Sequence, residues 1–149
     1  MPLDYSITEI TDSNIDSLNE LAQDAIADGH TSVQRTIDEW KDGSNKFSKD
    51  GEKIWGIFLS DQCIGIGGIN QDPFIDDRTV GRVRHLYIST QYRRLGLSKV
   101  LLKLILTHAK KYFTSLRLST KNPIAASFYE SFGFKKTDGI KVTHLLAKI

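Results

Sequence analysis

Two stretches of this chain combine residue types and spacings that could do chemistry. Val83 to Lys99 reads VRHLYISTQYRRLGLSK, a β-rich run, a short polar turn, two arginines, a glycine and then an apolar helical run. A helix's first turn leaves about four backbone N–H groups without partners, and its dipole adds roughly half a positive charge there. A phosphate satisfies both. Gly96 removes the Cβ that would hold a diphosphate off the backbone, and Arg93 and Arg94 can add charge-assisted hydrogen bonds through side chains or amides. The same letters also fit an ordinary tight turn with solvated arginines. The second stretch, Leu116 to Phe134, reads LRLSTKNPIAASFYESFGF and places Tyr129 near the end of a short helical pattern that Asn122 can cap and Pro123 can open. Outside any motif, Tyr129 also reads as an aromatic packed beside Phe128.

The elements that must position these residues follow from periodicity. Tyr5 to Ile10 reads as an edge strand. Asp12 or Ser13 can cap a helix carrying Ile15, Leu18, Leu21, Ala22, Ala25 and Ile26 on one face and ending at Gly29. Thr31 or Ser32 can cap a second helix through Trp40, stopped by Gly43. Lys53 to Leu59 and Gln62 to Ile69 read as a hairpin across Ser60 and Asp61, and Gln71 to Asp77 as a polar loop. Val80 to Ile88 resumes strand character. Leu97 to Phe113 is a helix apolar over most of its surface, with a narrow stripe through Lys99, Lys103 and Lys110, so it packs inside a layered domain. Leu116 to Ser119 is a strand, Pro123 to Phe132 a helix, and two short strands around Gly139 finish the chain. That order predicts a mixed α/β sheet with helices on its faces.

These residues resemble the acetyl-CoA signature of the GNAT superfamily of N-acetyltransferases. In the family pattern Q/R-x-x-G-x-G/A, Arg93 and Gly96 match, and Ser98 stands where glycine or alanine is usual. The second stretch is similar to N-x-x-A-x-x-x-Y-E-x-x-G-F through Asn122, Ala125, Tyr129, Glu130, Gly133 and Phe134. The resemblance implies an α/β (α+β) fold, one domain over residues 1–149. Its sheet would be mixed and mostly antiparallel, with a splayed parallel strand pair and helices on both faces. It implies transfer of the acetyl group of acetyl-CoA to a primary amine by direct attack through a tetrahedral intermediate.

Carried over residue by residue, the resemblance places the pantetheine arm along Leu86, Tyr87 and Ile88. The pyrophosphate falls against Arg93, Arg94, Leu95, Gly96, Leu97, Ser98 and Lys99, with Asn122, Ala125 and Tyr129 also at the cofactor. Tyr129 becomes the general acid for the departing sulfur. With reference pKa values near 10 and about 8.5, complete transfer to the thiolate is uphill by about 2 kcal/mol. The amine must lose a proton before attack, since an alkyl ammonium of pKa near 10.4 is neutral about once in 2,500 molecules at pH 7. His85 is the nearest titratable candidate, with Asp76, Asp77 or Glu39 as others, and a strand histidine reads equally well as a core residue. Arg82 and Arg84 fall on one strand face by the two-residue period. If that face lines the acceptor pocket, Arg84 binds an acidic acceptor; otherwise both are ordinary surface arginines.

Composition bounds the rest. The chain has 149 residues with a net charge of +2, too little field to draw it to nucleic acid or an anionic membrane. Cys63 is the only cysteine, so neither an intrachain disulfide nor a thiolate cluster can form. His30, His85, His108 and His144 are far apart without zinc-type spacing, and no metal is expected. Met1 to Glu9 lacks an apolar leader core and no run is long enough to span a membrane, so a cytoplasmic location is expected. IGIGGIN at Ile64 to Asn70 lacks dinucleotide spacing and reads as close backbone approach or a bulge. The basic run from Arg93 to Lys111 could mark a nucleic-acid stripe, but its helix is too apolar to lie in a groove. A non-catalytic acyl-CoA sensor is a further alternative. Asp28 to Asn45 and Asn70 to Thr79 match no specificity pattern, so protein and small-molecule amines both fit. The compact chain tilts the expectation to a small-molecule acceptor, and a homodimer through the C-terminal strands is compatible.

Overall fold

A single seven-stranded sheet organises the chain. The computed structural model describes residues 3–149; Met1 and Pro2, part of the N-terminal stretch read above, lie outside them. The elements are β1 (Ser6–Glu9), α1 (Asn19–Ala27), α2 (Ser32–Asp42), β2 (Lys53–Leu59), β3 (Gln62–Gln71), β4 (Val80–Ile88), α3 (Leu97–Ala109), β5 (Ser115–Leu118), α4 (Pro123–Glu130), β6 (Lys135–Lys136) and β7 (His144–Leu146). The strand order is β1-β2-β3-β4-β5-β7-β6. Every neighbouring pair is antiparallel except β4 with β5. The element order is the one read from periodicity, and the mixed, mostly antiparallel sheet is as expected.

Alternation along the strands sends side chains into two cores, one on each face. Ile10, Leu18, Leu21, Val33, Ile37 and Trp40 pack with Ile54, Phe58, Ile66 and Tyr87 beneath α1 and α2. On the other face Leu97, Leu101, Leu102 and Ile105 of α3 meet Ile57, Ile64, Ile69, Val83, Ile88 and Leu116. Leu101, Leu102 and Ile105 are wholly buried, each contributing about 1.5–3 kcal/mol of burial. That weight makes α3 a fixed post on which the turn before it can be aimed.

Helix starts depart from expectation. Neither Asp12 nor Ser13 caps the first helix. Asp12 Oδ1 instead accepts from Trp40 Nε1 at 2.8 Å, and Lys46 pairs with the same carboxylate at 3.0 Å. Asn14 is tied back to Thr11 N and Glu9 O, so the chain enters through a 3₁₀ turn, Ile15–Leu18, before α1. Thr31 stands at the N-cap of α2 without a side-chain cap bond, whereas Gly43 ends that helix at φ +82° as expected. α3 stops at Ala109, where Tyr112 N and Phe113 N both fold back onto its carbonyl.

Candidate active site

The parallel contact between β4 and β5 is short. Val80 pairs with Ser115, Gly81 with Leu116 and Arg82 with Arg117, and there the pairing ends although β4 continues to Ile88. β5 meanwhile stays paired with β7 through Leu118. The cause lies on the other side of β4, where the register with β3 shifts: Ile66 faces Tyr87 while Gly68 faces Arg84. His85 and Leu86 thus oppose Gly67 alone, a bulge with His85 at φ +56°. Gly67 is required there, because a Cβ would meet Leu86 Cδ1 at 2.8 Å. The bulge bends β4 away from β5 and leaves a split. Ser89 N donates to Ile64 O toward β3, so by alternation the Ile88 amide is directed to the open side.

At the end of β4 the chain makes a 3₁₀ turn, Thr90–Tyr92, and then enters α3. Arg94 and Gly96 both take left-handed backbone, at φ +64° and +78°. α3 has no side-chain cap, and its first internal bond is Val100 N to Gly96 O, so the Leu97, Ser98 and Lys99 amides precede the helical ladder. A Cβ at Gly96 would meet nothing within 4 Å, so the space beside this residue is open. Left-handed turns that aim successive amides into one concavity form an anion nest. This turn fits a diphosphate.

The Arg93 side chain is engaged within the protein: Nε donates to Ile88 O at 3.1 Å, a terminal nitrogen pairs with Asp28 at 2.7 Å, and the guanidinium lies 5.3 Å from the Tyr87 ring centre. Asp24 braces the same turn, accepting from Tyr87 Oη at 2.7 Å, Thr90 Oγ1 at 2.8 Å and Thr90 N at 3.1 Å. Burial works against its charge, yet these donors hold the Asp24 carboxyl below the usual range. Arg93 therefore ties this turn to Asp28 at the end of α1, and Arg94 is exposed beside it.

α4 carries the tyrosine. Asn122 Oδ1 accepts from Ile124 N at 2.9 Å and Ala125 N at 3.4 Å, a working N-cap that leaves the amide nitrogen free to donate. Tyr129 is buried, its ring 5.4 Å from Phe128 and 5.7 Å from Phe134, in the same cluster as Leu97, Val83 and Leu118. α3, β4, β5 and α4 thus converge beside the split. Among the described residues the Tyr129 hydroxyl makes no hydrogen bond, and burial raises its pKa above the ordinary tyrosine value. Glu130 fixes α4 to β7 through His144 Nε2 at 2.8 Å, and His144 Nδ1 lies 2.8 Å from Thr143 Oγ1.

The chain's sequence matches the acetyltransferase (GNAT) family over residues 15–134. It belongs to that family. A candidate acetyltransferase from Exiguobacterium sp. 255-15 has the same fold with a TM-score of 0.84 and 26% identity, covering 97% of this chain and 93% of its own. A GNAT-family acetyltransferase from Staphylococcus aureus Mu50 aligns with a TM-score of 0.73 and 17% identity, covering 95% and 96%. Human N-acetyltransferase 8 is 30% identical over 97 residues, 60% of this chain, which spans only 41% of that relative's length.

On this GNAT scaffold His85 sits in the bulge with Nε2 buried and without a partner. Burial, and then Arg84, Arg35 and Arg82, push its pKa down to about 3. A ring held uncharged so firmly is a hydrogen-bond group rather than a proton sink for an ammonium of pKa near 10.4. Because the unfolded chain binds this proton near pH 6.5, the stability it contributes is complete above that pH and is lost on acidification toward 3. From about pH 6 to 4 the wild type is expected to lose stability more steeply than His85→Gln, by roughly 1.4 kcal/mol per pH unit. Urea unfolding at stepped pH reads this directly, and parallel curves would mean the ring reaches water.

The GNAT motifs did not point to the ionic cluster beside the split. Asp72, in the segment read as a polar loop, is fully buried; its Oδ2 meets Arg82 at 3.4 Å and Arg117 at 3.0 Å. An aspartate before a proline carries no local sign of such burial. Among the described residues no group of three or more histidine, cysteine, aspartate or glutamate side chains could hold a metal, and no helix is long and apolar enough to cross a membrane.

Proposed function

We propose that this GNAT protein transfers the acetyl group of acetyl-CoA to a primary amine, that of a small molecule, at the split between β4 and β5. The observation that carries the reading is the open, uncapped nest at Arg94 to Lys99, beside a strand edge that has lost its partner. When bound, acetyl-CoA supplies an activated acyl thioester. The amides of Leu97, Ser98 and Lys99, with Arg94, hold its diphosphate. Leu86 to Ile88 offer backbone along the split, where the Ile88 N–H can stabilise developing negative charge on a carbonyl oxygen. Asn122 can donate its free amide N–H to the cofactor arm, and Ala125 leaves room for it. Tyr129 donates its hydroxyl proton or a hydrogen bond to the departing sulfur. The amine gives up its proton to bulk solvent before attack, and the neutral His85 ring, whose Nε2 has no partner among the described residues, is a hydrogen-bond acceptor that can orient the amine N–H.

Two measurements test this. Acetyl-CoA at 100 times its Kd should stabilise the protein by about 2.7 kcal/mol, seen as a raised melting temperature. Gly96→Val, which places a β-branched side chain at φ +78° over the nest, should abolish most of that rise. Thiol release from acetyl-CoA in the presence of a mixed amine library should follow the same pattern. No stabilisation by acetyl-CoA in the wild type would reject the reading.

A further inference from the structure

Arg84 lies on β4 just past the last residue that pairs with β5, on the sheet face that α2 covers. Its surroundings hold more positive charge than negative. Arg82 and Arg117 are nearly sealed, with side chains 9% and 7% exposed, and both depend on Asp72. Asp72 has nothing further to offer: its second oxygen, Oδ1, accepts from Phe74 N at 2.9 Å, and Arg82 also lies 4.9 Å from the Phe74 ring centre. Arg117 spends its other terminal nitrogen on the Ile140 carbonyl. Arg84 has no ion pair or hydrogen bond among the described residues, although it is only partly exposed. Its near neighbours from α2 are Glu39 and Arg35, which oppose one another. Four arginines thus share two carboxylates.

A half-buried guanidinium without a partner is costly to keep, and a planar or tetrahedral oxyanion that accepts its paired N–H groups offsets the cost. The β4–β5 pairing ends at Arg82 and Arg117, so on the acetyl-transfer reading an acceptor on the α2 face can meet a thioester held on the α3 and α4 side through the split. We propose that the acceptor amine also carries an anionic oxygen group, carboxylate or phosphate, which Arg84 binds at the mouth of the β4–β5 split beside the Arg82–Asp72–Arg117 cluster. This rests on the acetyl-transfer reading above. It selects among acceptors: polyamines, with like charge, are repelled, while amino acids and aminoalkyl phosphates are drawn in.

The test measures thiol release from acetyl-CoA with matched acceptors: α-amino acids, their neutral carboxamides, aminoalkyl phosphates and polyamines. The wild type should favour an anionic member over its neutral counterpart by about 10- to 150-fold in kcat/KM, the range of one charge-assisted contact. The carboxylate and phosphate arms identify which oxyanion is taken. Arg84→Gln should shrink that ratio at least tenfold, and Arg84→Lys, which keeps the charge but loses the fork, should retain part of it. Melting curves of both variants check folding, and the wild-type ratio decides even where a variant fails. Release that is equal or greater with carboxamides or polyamines, or a ratio that Arg84→Gln leaves intact, overturns this inference and leaves acetyl transfer standing. No release with any amine overturns both.

Discussion

Tyr129→Phe is expected to lower kcat by about 10²- to 10⁴-fold while changing folding stability by less than roughly 0.5 kcal/mol. The two halves of that result come from different parts of one side chain. The ring fills a slot between Phe128 and Phe134 and is retained by phenylalanine, so packing survives. The hydroxyl has no partner among the described residues, so its removal breaks no hydrogen bond of the folded protein. Burial raises its pKa, which keeps the proton on at any working pH and makes complete transfer to a thiolate costlier than reference values suggest. Its service is then a hydrogen bond to sulfur as charge builds, and the rate should show no alkaline limb from tyrosine ionisation below about pH 10. Steady-state kinetics beside thermal unfolding measure both halves. Unchanged kcat in the variant would make Tyr129 a packing residue and nothing more.

What could be read from the sequence was local, and what could not was long-range. α3 announced itself because Leu97, Leu101, Leu102 and Ile105 repeat at helical spacing, and the glycine before it marked a tight turn, though not the left-handed backbone that it and Arg94 adopt. The glycines of Ile64 to Asn70 read correctly as close approach, since Gly67 faces the bulge. The side-chain direction of Arg93 could not be read: it depends on Asp28, 65 residues away, and on Tyr87 being drawn to Asp24, 63 residues away. The same holds for Asp72 and Arg117, 45 residues apart. His85 was placed on the right strand, but its backbone turn and the arginines around it, which decide its basicity, are products of the β3–β4 register. Residue types named the chemistry; pairing decided which atoms are free to perform it.

The second large effect concerns Asp72, and it is one of stability. Asp72→Ala is expected to destabilise the fold by about 3–5 kcal/mol, the usual cost of removing one partner from a buried ion pair. The alanine leaves Arg82 and Arg117 buried without a counter-charge, and the Phe74 amide loses its acceptor. At roughly 2–4 °C per kcal/mol for a chain of this size, the melting temperature should drop by about 6–20 °C. Asp72→Asn keeps the Phe74 bond and the shape but not the charge, so the gap between the two variants separates packing from electrostatics. Adding Arg117→Met to Asp72→Ala should recover part of the loss, because it removes one of the stranded charges while keeping an apolar stem. The cluster spans Arg82 and Arg117, the last residues at which β4 and β5 still pair, so it closes the parallel contact at the point where the split begins. Weakening it should loosen the split as well as the fold, and acetyl-CoA should then recover less stability in Asp72→Ala than in the wild type. A loss below about 1 kcal/mol would place these charges in contact with water and remove the surplus on which acceptor selection by Arg84 depends.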